Sequence, residues 1–157
     1  MTTLPNPLDA LQAVSSSNPL RIRVITLGLI QREDCLLVSE GYDSLEQQAF
    51  YRMLGGGVEF GETSLEALQR EFREELQAEL TNIQYLGCLE NLFTYQGQPG
   101  HELVQLYRCD LSDPHLYEQE SLMGYEGTEP FEARWIEGER FQSGMLRLVP
   151  ERCLEFF

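Results

Sequence analysis

Three glycines followed by a glutamate-rich segment constrain this chain more than any other stretch. From Gly55 to Ala78 it reads GGGVEFGETSLEALQREFREELQA. The glycines predict a sharp backbone turn, tight enough for a main-chain carbonyl to approach a ligand. Thr63 and Glu66 form a capping-box pattern that starts a helix. Along that helix Leu65, Leu68, Phe72 and Leu76 recur every three or four residues, a stripe able to pack on a sheet. Glu71, Glu74 and Glu75 stand at relative positions 0, 3 and 4 and therefore share a face. Like charges so placed repel, and a divalent cation is the natural counter-charge. Carboxylate oxygens suit Mg²⁺ or Mn²⁺ better than Zn²⁺. Arg70, one turn before Glu74, can pair with Glu74, with Glu66 or with Glu62 across the turn. Glutamate-rich helices are commonly no more than solvated faces. That plain reading leaves the register of the glycines, Glu62 and Arg70 unexplained.

Written as G-x5-E-x7-R-E-U-x-E-E-x-G-U, with U an apolar residue, the stretch supplies Gly56, Glu62, Arg70, Glu71, Phe72, Glu74, Glu75, Gln77 and Ala78. It resembles the Nudix box of the Nudix hydrolases. The departure is Gln77, where the family usually has a helix-ending glycine. Its absence predicts a helix about a turn longer, towards Leu80. The resemblance implies that Glu71, Glu74 and Glu75 bind the metals and that Gly56 offers its carbonyl to them. It also implies an orienting ion pair between Glu62 and Arg70. A further glutamate often comes from the loop before a late strand in this family, as base or extra ligand. Glu126 and Glu129 are the candidates, beside Glu74 and Glu75 themselves.

With 157 residues the chain is long enough for one domain with a real core. No apolar run reaches the length of a membrane span, and no basic-then-apolar leader opens the chain. Cys35, Cys88, Cys109 and Cys153 form no C-x-x-C pair; buried, reduced thiols and a cytoplasmic protein are the expectation. The net charge is −15, and all 11 cationic side chains are arginine. Such a chain is not expected to bind duplex nucleic acid through a broad basic surface. A small phosphorylated substrate stays compatible with it, because metal ions can bridge acids to phosphate oxygens.

Taken in order, residues 1–20 read as an N-terminal extension with a short helix over Leu8–Val14, which packs on the domain or mediates self-association as a homodimer. Residues 21–157 read as one domain. Arg21–Ile30 and Cys35–Ser39 are apolar and β-branched, hence strands. Glu40–Gln48 reads as a loop and Ala49–Leu54 as a third strand. Arg52, beside the glycines, is a candidate phosphate contact, with a surface arginine on an edge strand as the alternative. Ile83–Thr94 is a long strand bent near Gly87, Tyr95–Gly100 a turn, and Glu102–Asp110 its antiparallel partner. Glu102 is a second candidate for the substrate side, and His101 a candidate cap of the turn. Leu111–Phe131 reads as a long polar loop. Glu132–Glu137 is a strand, Glu139–Gly144 a connection, and Leu148–Phe157 a final helix with Pro150 in its first turn. This order suits an α+β domain with a mixed sheet. It resembles the Nudix fold, an α/β/α sandwich.

The function expected from these features is metal-dependent hydrolysis of a pyrophosphate bond, in a nucleoside diphosphate linked to another group. The alternative is a catalytically silent Nudix-fold domain that binds a nucleotide as a sensor. Tyr42, Phe50, Tyr51, Phe93 and Tyr95 are the aromatic side chains available to stack on a base.

Overall fold

The protein is described by a computed structural model covering residues 20–157. The expected helix at Leu8–Val14 lies outside the described residues. Strands β1 (Arg23–Leu29), β2 (Gln31–Arg32), β3 (Cys35–Asp43) and β4 (Gln48–Gly57) precede helix α1 (Ser64–Leu76). Strands β5 (Leu80–Tyr95) and β6 (Gln98–Leu111) follow, then a 3₁₀ turn at Pro114–Glu118, β7 (Ser121–Glu126), β8 (Glu129–Glu137), helix α2 (Gly138–Gln142) and a 3₁₀ segment at Glu151–Phe156. The strands join in the order β5-β6-β1-β4-β3-β8-β7, with β2 beside β3. Among the strands of the described residues the β1–β6 ladder is parallel, with Arg23 opposite Glu102, and the other strand ladders are antiparallel; an isolated parallel bridge joins Tyr51 and Leu148. The sheet is mixed and the domain α+β, as the order of apolar segments predicts.

The apolar runs of the central strands serve two cores at once, which is why they show little alternation. Ile25, Leu27 and Leu29 of β1 join Leu36, Val38, Val104, Leu106, Phe141 and Leu148 in one core. The opposite face meets α1: Leu68 and Phe72 pack with Leu37, Leu54, Cys109, Leu111 and Leu122. Consecutive residues Leu36, Leu37 and Val38 alternate between these cores, the period of two expected of a pleated strand. Gly28 leaves room for the helix; a Cβ there would stand 3.1 Å from the Phe72 ring.

Several expectations are corrected. The three glycines are not a turn but the last rung of β4, with Gly55, Gly56 and Gly57 opposite Leu27, Thr26 and Ile25. Gly55 has φ +149°, and a Cβ there would lie 2.0 Å from the Thr26 carbonyl oxygen, so the residue serves close strand approach. The chain turns afterwards, before Thr63. Leu65 follows the stripe by angle but sits in the first helical turn, where coverage is incomplete, and is 39% exposed; Ala67 takes a buried place beside Leu68 and Phe72. Glu40–Gln48 is mostly strand, because β3 and β4 run on as a hairpin to a turn at 44–47. Arg52 therefore lies on an internal strand, not an edge. Leu111–Phe131 contains β7, whose Leu122 and Gly124 point inward while Met123 and Tyr125 are exposed. The C-terminal helix is a 3₁₀ segment with Pro150 as its cap rather than in its first turn, and the connection at Glu139–Gly144 contains α2. His101 lies inside β6 opposite Leu92, away from the tip, where the turn is reduced to Gln96 and Gly97 at positive φ. All four cysteines are free, but only Cys109 and Cys153 are buried, and Cys88 is exposed.

Helix α1 also stops sooner than expected. Thr63 and Glu66 form the capping box at its start. At its end Gln77 adopts the left-handed conformation itself, φ 53° and ψ 35°, where glycine was missed. The Gln77 N–H donates to the Arg73 carbonyl and the Ala78 N–H to the Phe72 carbonyl, closing the helix. Ala78 is buried, so the chain must turn inward here to begin β5. A side chain in that conformation costs about 1–2 kcal/mol, against about 0.5–1 kcal/mol of extra chain entropy for glycine. Gln77→Gly is therefore expected to stabilise the fold by up to about 1 kcal/mol, roughly 2–4 °C in Tm for a chain of this size. A thermal melt that shows no gain would mean the Gln77 side chain compensates its own strain.

Candidate active site

Helix α1 presents its acids over the end of β4. The Arg70 guanidinium organises them. Its Nε and Nη2 donate to the two carboxylate oxygens of Glu62 at 3.1 and 2.7 Å. Nη2 also donates to the Gly57 carbonyl at 2.9 Å. Nη1 donates to Glu71 at 3.0 Å and to Glu74 at 3.2 Å. Glu62 in turn accepts from the Glu59 N–H at 2.8 Å. Of the three partners open to Arg70, Glu62 and Glu74 are used, while Glu66 is engaged by the capping box. The bond from Arg70 holds the Glu62 carboxyl below the usual carboxylate range.

Glu71 and Glu75 are pushed the other way. Burial raises Glu71, and Arg70 offsets this only in part. Burial also raises Glu75, with the charges of Glu71, Glu126 and Glu74 adding to it and Arg52 opposing, up to about 8. Two half-buried carboxylates one turn apart are thus held where full ionisation is unfavourable without added positive charge. Gly56 contributes the room: a Cβ there would fall 2.3 Å from the Glu71 carboxyl carbon. A donor set made wholly of carboxylate oxygens fits a hard divalent cation. Among the described residues no three acids already converge as a closed metal cage. Arg70 Nη1 instead joins Glu71 and Glu74, bonding one oxygen of each.

The other expected residues fall into two groups. Glu126 ends β7, close enough to Glu75 for its charge to be felt there. Glu129 is its cross-strand neighbour at the hairpin turn, and no interaction ties it to the helix acids. Arg52 and Glu102 meet each other: Arg52 Nη2 donates to the Glu102 oxygens at 3.4 and 3.2 Å. Glu102 is 2% exposed and also lies 3.7 Å from Arg23 Nη1. Arg23 lines a cleft with Arg21, Val24, Gly57, Glu59 and Glu71. Arg23 and the Gly57 carbonyl are the participants that the sequence reading missed. The alternation Arg21-Ile22-Arg23 at the mouth of an apolar strand was the available signal, in a chain with few cations. Of the aromatics, Phe50 and Tyr95 are packed edge-to-face at 5.8 Å, and Tyr42 is exposed.

The raised Glu75 pKa sets a pH dependence. The folded state binds this proton up to about pH 8. An unfolded glutamate releases it near 4.3. The stabilising contribution is complete below the lower value and lost as pH rises through the upper one. In chelator the melting temperature is expected to fall as pH rises from about 4.5 to about 8. Glu75→Gln should flatten that slope, and Mg²⁺ should oppose it. A flat wild-type profile in chelator would contradict this assignment.

The family model described as the NUDIX domain matches residues 19–152. Among solved structures, a NUDIX hydrolase from Nitrosomonas europaea superposes with TM-score 0.61 at 18% identity, covering 86% of this chain and 87% of the other. The MutT protein of Bacillus halodurans gives 0.58 at 14%, covering 85% and 80%. An ADP compounds hydrolase gives 0.51 at 19%, covering 78% and 61%. These likenesses concern the fold. The family match spans nearly the whole described domain and contains the Gly56–Ala78 signature that the helix acids occupy. The chain belongs to the Nudix family of hydrolases.

Proposed function

We propose that the chain is a divalent-metal-dependent hydrolase that breaks a phosphoanhydride bond in a small nucleotide-type substrate. The observation that carries this reading is the crowding of Glu71 and Glu75 on one face of α1, with Glu62, Glu71 and Glu74 clamped by Arg70. A merely solvated face would let these acids spread into water; here burial and repulsion act on both Glu71 and Glu75. Glu71, Glu74 and Glu75 would hold the cation, with the family's Gly56 carbonyl beside them. Bound there, Mg²⁺ or Mn²⁺ would neutralise phosphate oxygens and make a nearby water easier to ionise.

The chain's own residues supply positioning and proton transfer. Arg70 fixes the rotamers of Glu71 and Glu74 and ties α1 to the end of β4 through Gly57. The water oxygen bonds to phosphorus, the bridging P–O bond breaks, and the water's proton passes to a glutamate. Glu74, Glu75 and Glu126 lie together for that role, while Glu129 stands across the β7–β8 hairpin from Glu126. Arg52, whose charge reaches Glu75, supplies a cation on the substrate side of the acids.

The test is phosphate release from nucleoside triphosphates, ADP-ribose, diadenosine polyphosphates and sugar nucleotides, each with Mg²⁺ or Mn²⁺. Metal-dependent turnover of one class is expected. Glu71→Gln and Glu75→Gln should each lower kcat by about 100-fold or more with the fold intact. Near-normal turnover in both variants would refute the assignment. Silence of the wild-type across the panel, with one ligand bound tightly in calorimetry, would favour the sensor reading.

A further inference from the structure

Glu102 has no place in the chemistry above, yet it is among the few buried charged side chains among the described residues. A buried carboxylate is costly unless paired and hydrogen-bonded. Its partners come from three separate strands. Arg52 of β4 bonds it through Nη2, Arg23 of β1 stands 3.7 Å away, and the Asn91 amide of β5 donates at 3.4 Å. The arginines themselves are not buried: their side chains are 36% and 53% exposed. Each guanidinium carries five N–H donors, and the Glu102 contacts occupy only one end of each.

Both arginines lie near the helix acids. Arg23 lines the cleft that also includes Glu71, with its Nη2 3.7 Å from where a Gly57 Cβ would be. Arg52 sits close enough to Glu75 to oppose its neighbours' charges. Net charge is −15 and acids crowd the helix, so the surroundings repel anions. A polyphosphate needs local cations to enter such a field. Unsupported arginines would fold back onto Glu59, Glu71 or Glu75. A carboxylate buried behind them gives both one fixed anchor.

We propose that Arg23 and Arg52 form a phosphate-binding pair, held in position by Glu102, for a phosphoryl group outside the anhydride that is broken. This rests on the hydrolase reading and narrows its substrate class. Substrates with a third anionic phosphoryl group, such as nucleoside triphosphates, are preferred over diphosphates capped by an uncharged sugar. Glu102 acts through the arginines and touches no reacting atom; it is a positioning residue.

The experiment compares wild-type, Arg23→Met, Arg52→Met and Glu102→Gln with a nucleoside triphosphate and with ADP-ribose, in Mg²⁺. Each arginine variant should raise KM for the triphosphate by about 10-fold, the value of one charge-assisted bond; kcat should stay within about threefold in Arg23→Met, whereas Arg52→Met, which also removes a charge that acts on Glu75, is read by KM alone. KM for ADP-ribose should move much less. Glu102→Gln should give the same KM-weighted pattern, and Arg52→Lys should recover part of the loss. A merely structural Glu102 would lower the melting temperature and the active fraction without splitting the two substrates. Calorimetry with inorganic tripolyphosphate and Mg²⁺ gives a readout independent of turnover: both arginine variants should bind it about 10-fold more weakly. Unchanged triphosphate KM, or unchanged tripolyphosphate affinity, in both arginine variants overturns the proposal. Should Glu102→Gln not fold, those variants still decide it. Should wild-type hydrolyse nothing, the hydrolase reading fails, and tripolyphosphate binding alone judges the arginine pair.

Discussion

One guanidinium holds this site together. Arg70 bonds both oxygens of Glu62, the Gly57 carbonyl, Glu71 and Glu74, and is mostly buried in doing so. Its planar fork can serve a bidentate carboxylate on one edge and two further acceptors on the other; a lysine ammonium has neither the reach nor the geometry. These bonds join three elements that are otherwise only adjacent: the end of β4, the turn before α1, and the second turn of the helix. Without them the helix acids would be free to turn towards water, and Glu71 would lose the one partner that offsets its burial.

The sheet must make room for that clamp. Phe72 can press on β1 because Gly28 carries no side chain, and Glu71 can lie on β4 because Gly56 carries none. The same helix thus buries an aromatic ring against one strand and an acid against the next. Residue 71 and residue 72 point into adjoining places with opposite chemistry, and the capping box at Thr63 fixes the rotation that sends each to its own.

What was legible beforehand was what is local. The positions of Glu71, Glu74 and Glu75 on one face follow from helical geometry, and the capping box from four consecutive residues. The misreadings share a cause as well. Gly55–Gly57 looked like a turn because glycine permits one; that Gly55 is instead pressed against the Thr26 carbonyl depends on a strand thirty residues earlier in the chain, roughly. Gln77 carries no stop signal, but Ala78 is drawn into the core and forces the helix to end. Strand β7 carries little apolar pattern, since only Leu122 and Gly124 face inward. Arg23 and Glu102 are opposite each other through the parallel β1–β6 ladder, a pairing that no local pattern announces.

That ladder explains the division of charge across the site. On the α1 side, Arg70 offsets only part of the burial and repulsion acting on the acids. On the β1 and β4 side, one carboxylate buried in the protein is matched by two partly exposed arginines, so the group carries a net positive charge. Moving Glu102 to the surface would cost less desolvation, but water would then screen it and the arginines would lose their fixed anchor. Burying the anion and exposing the cations is the arrangement that leaves positive charge on offer beside a negative helix. A strongly acidic chain can hold a polyanion at such a place only if the two signs are kept apart by the fold, and strands β1, β4 and β6 are what separate them.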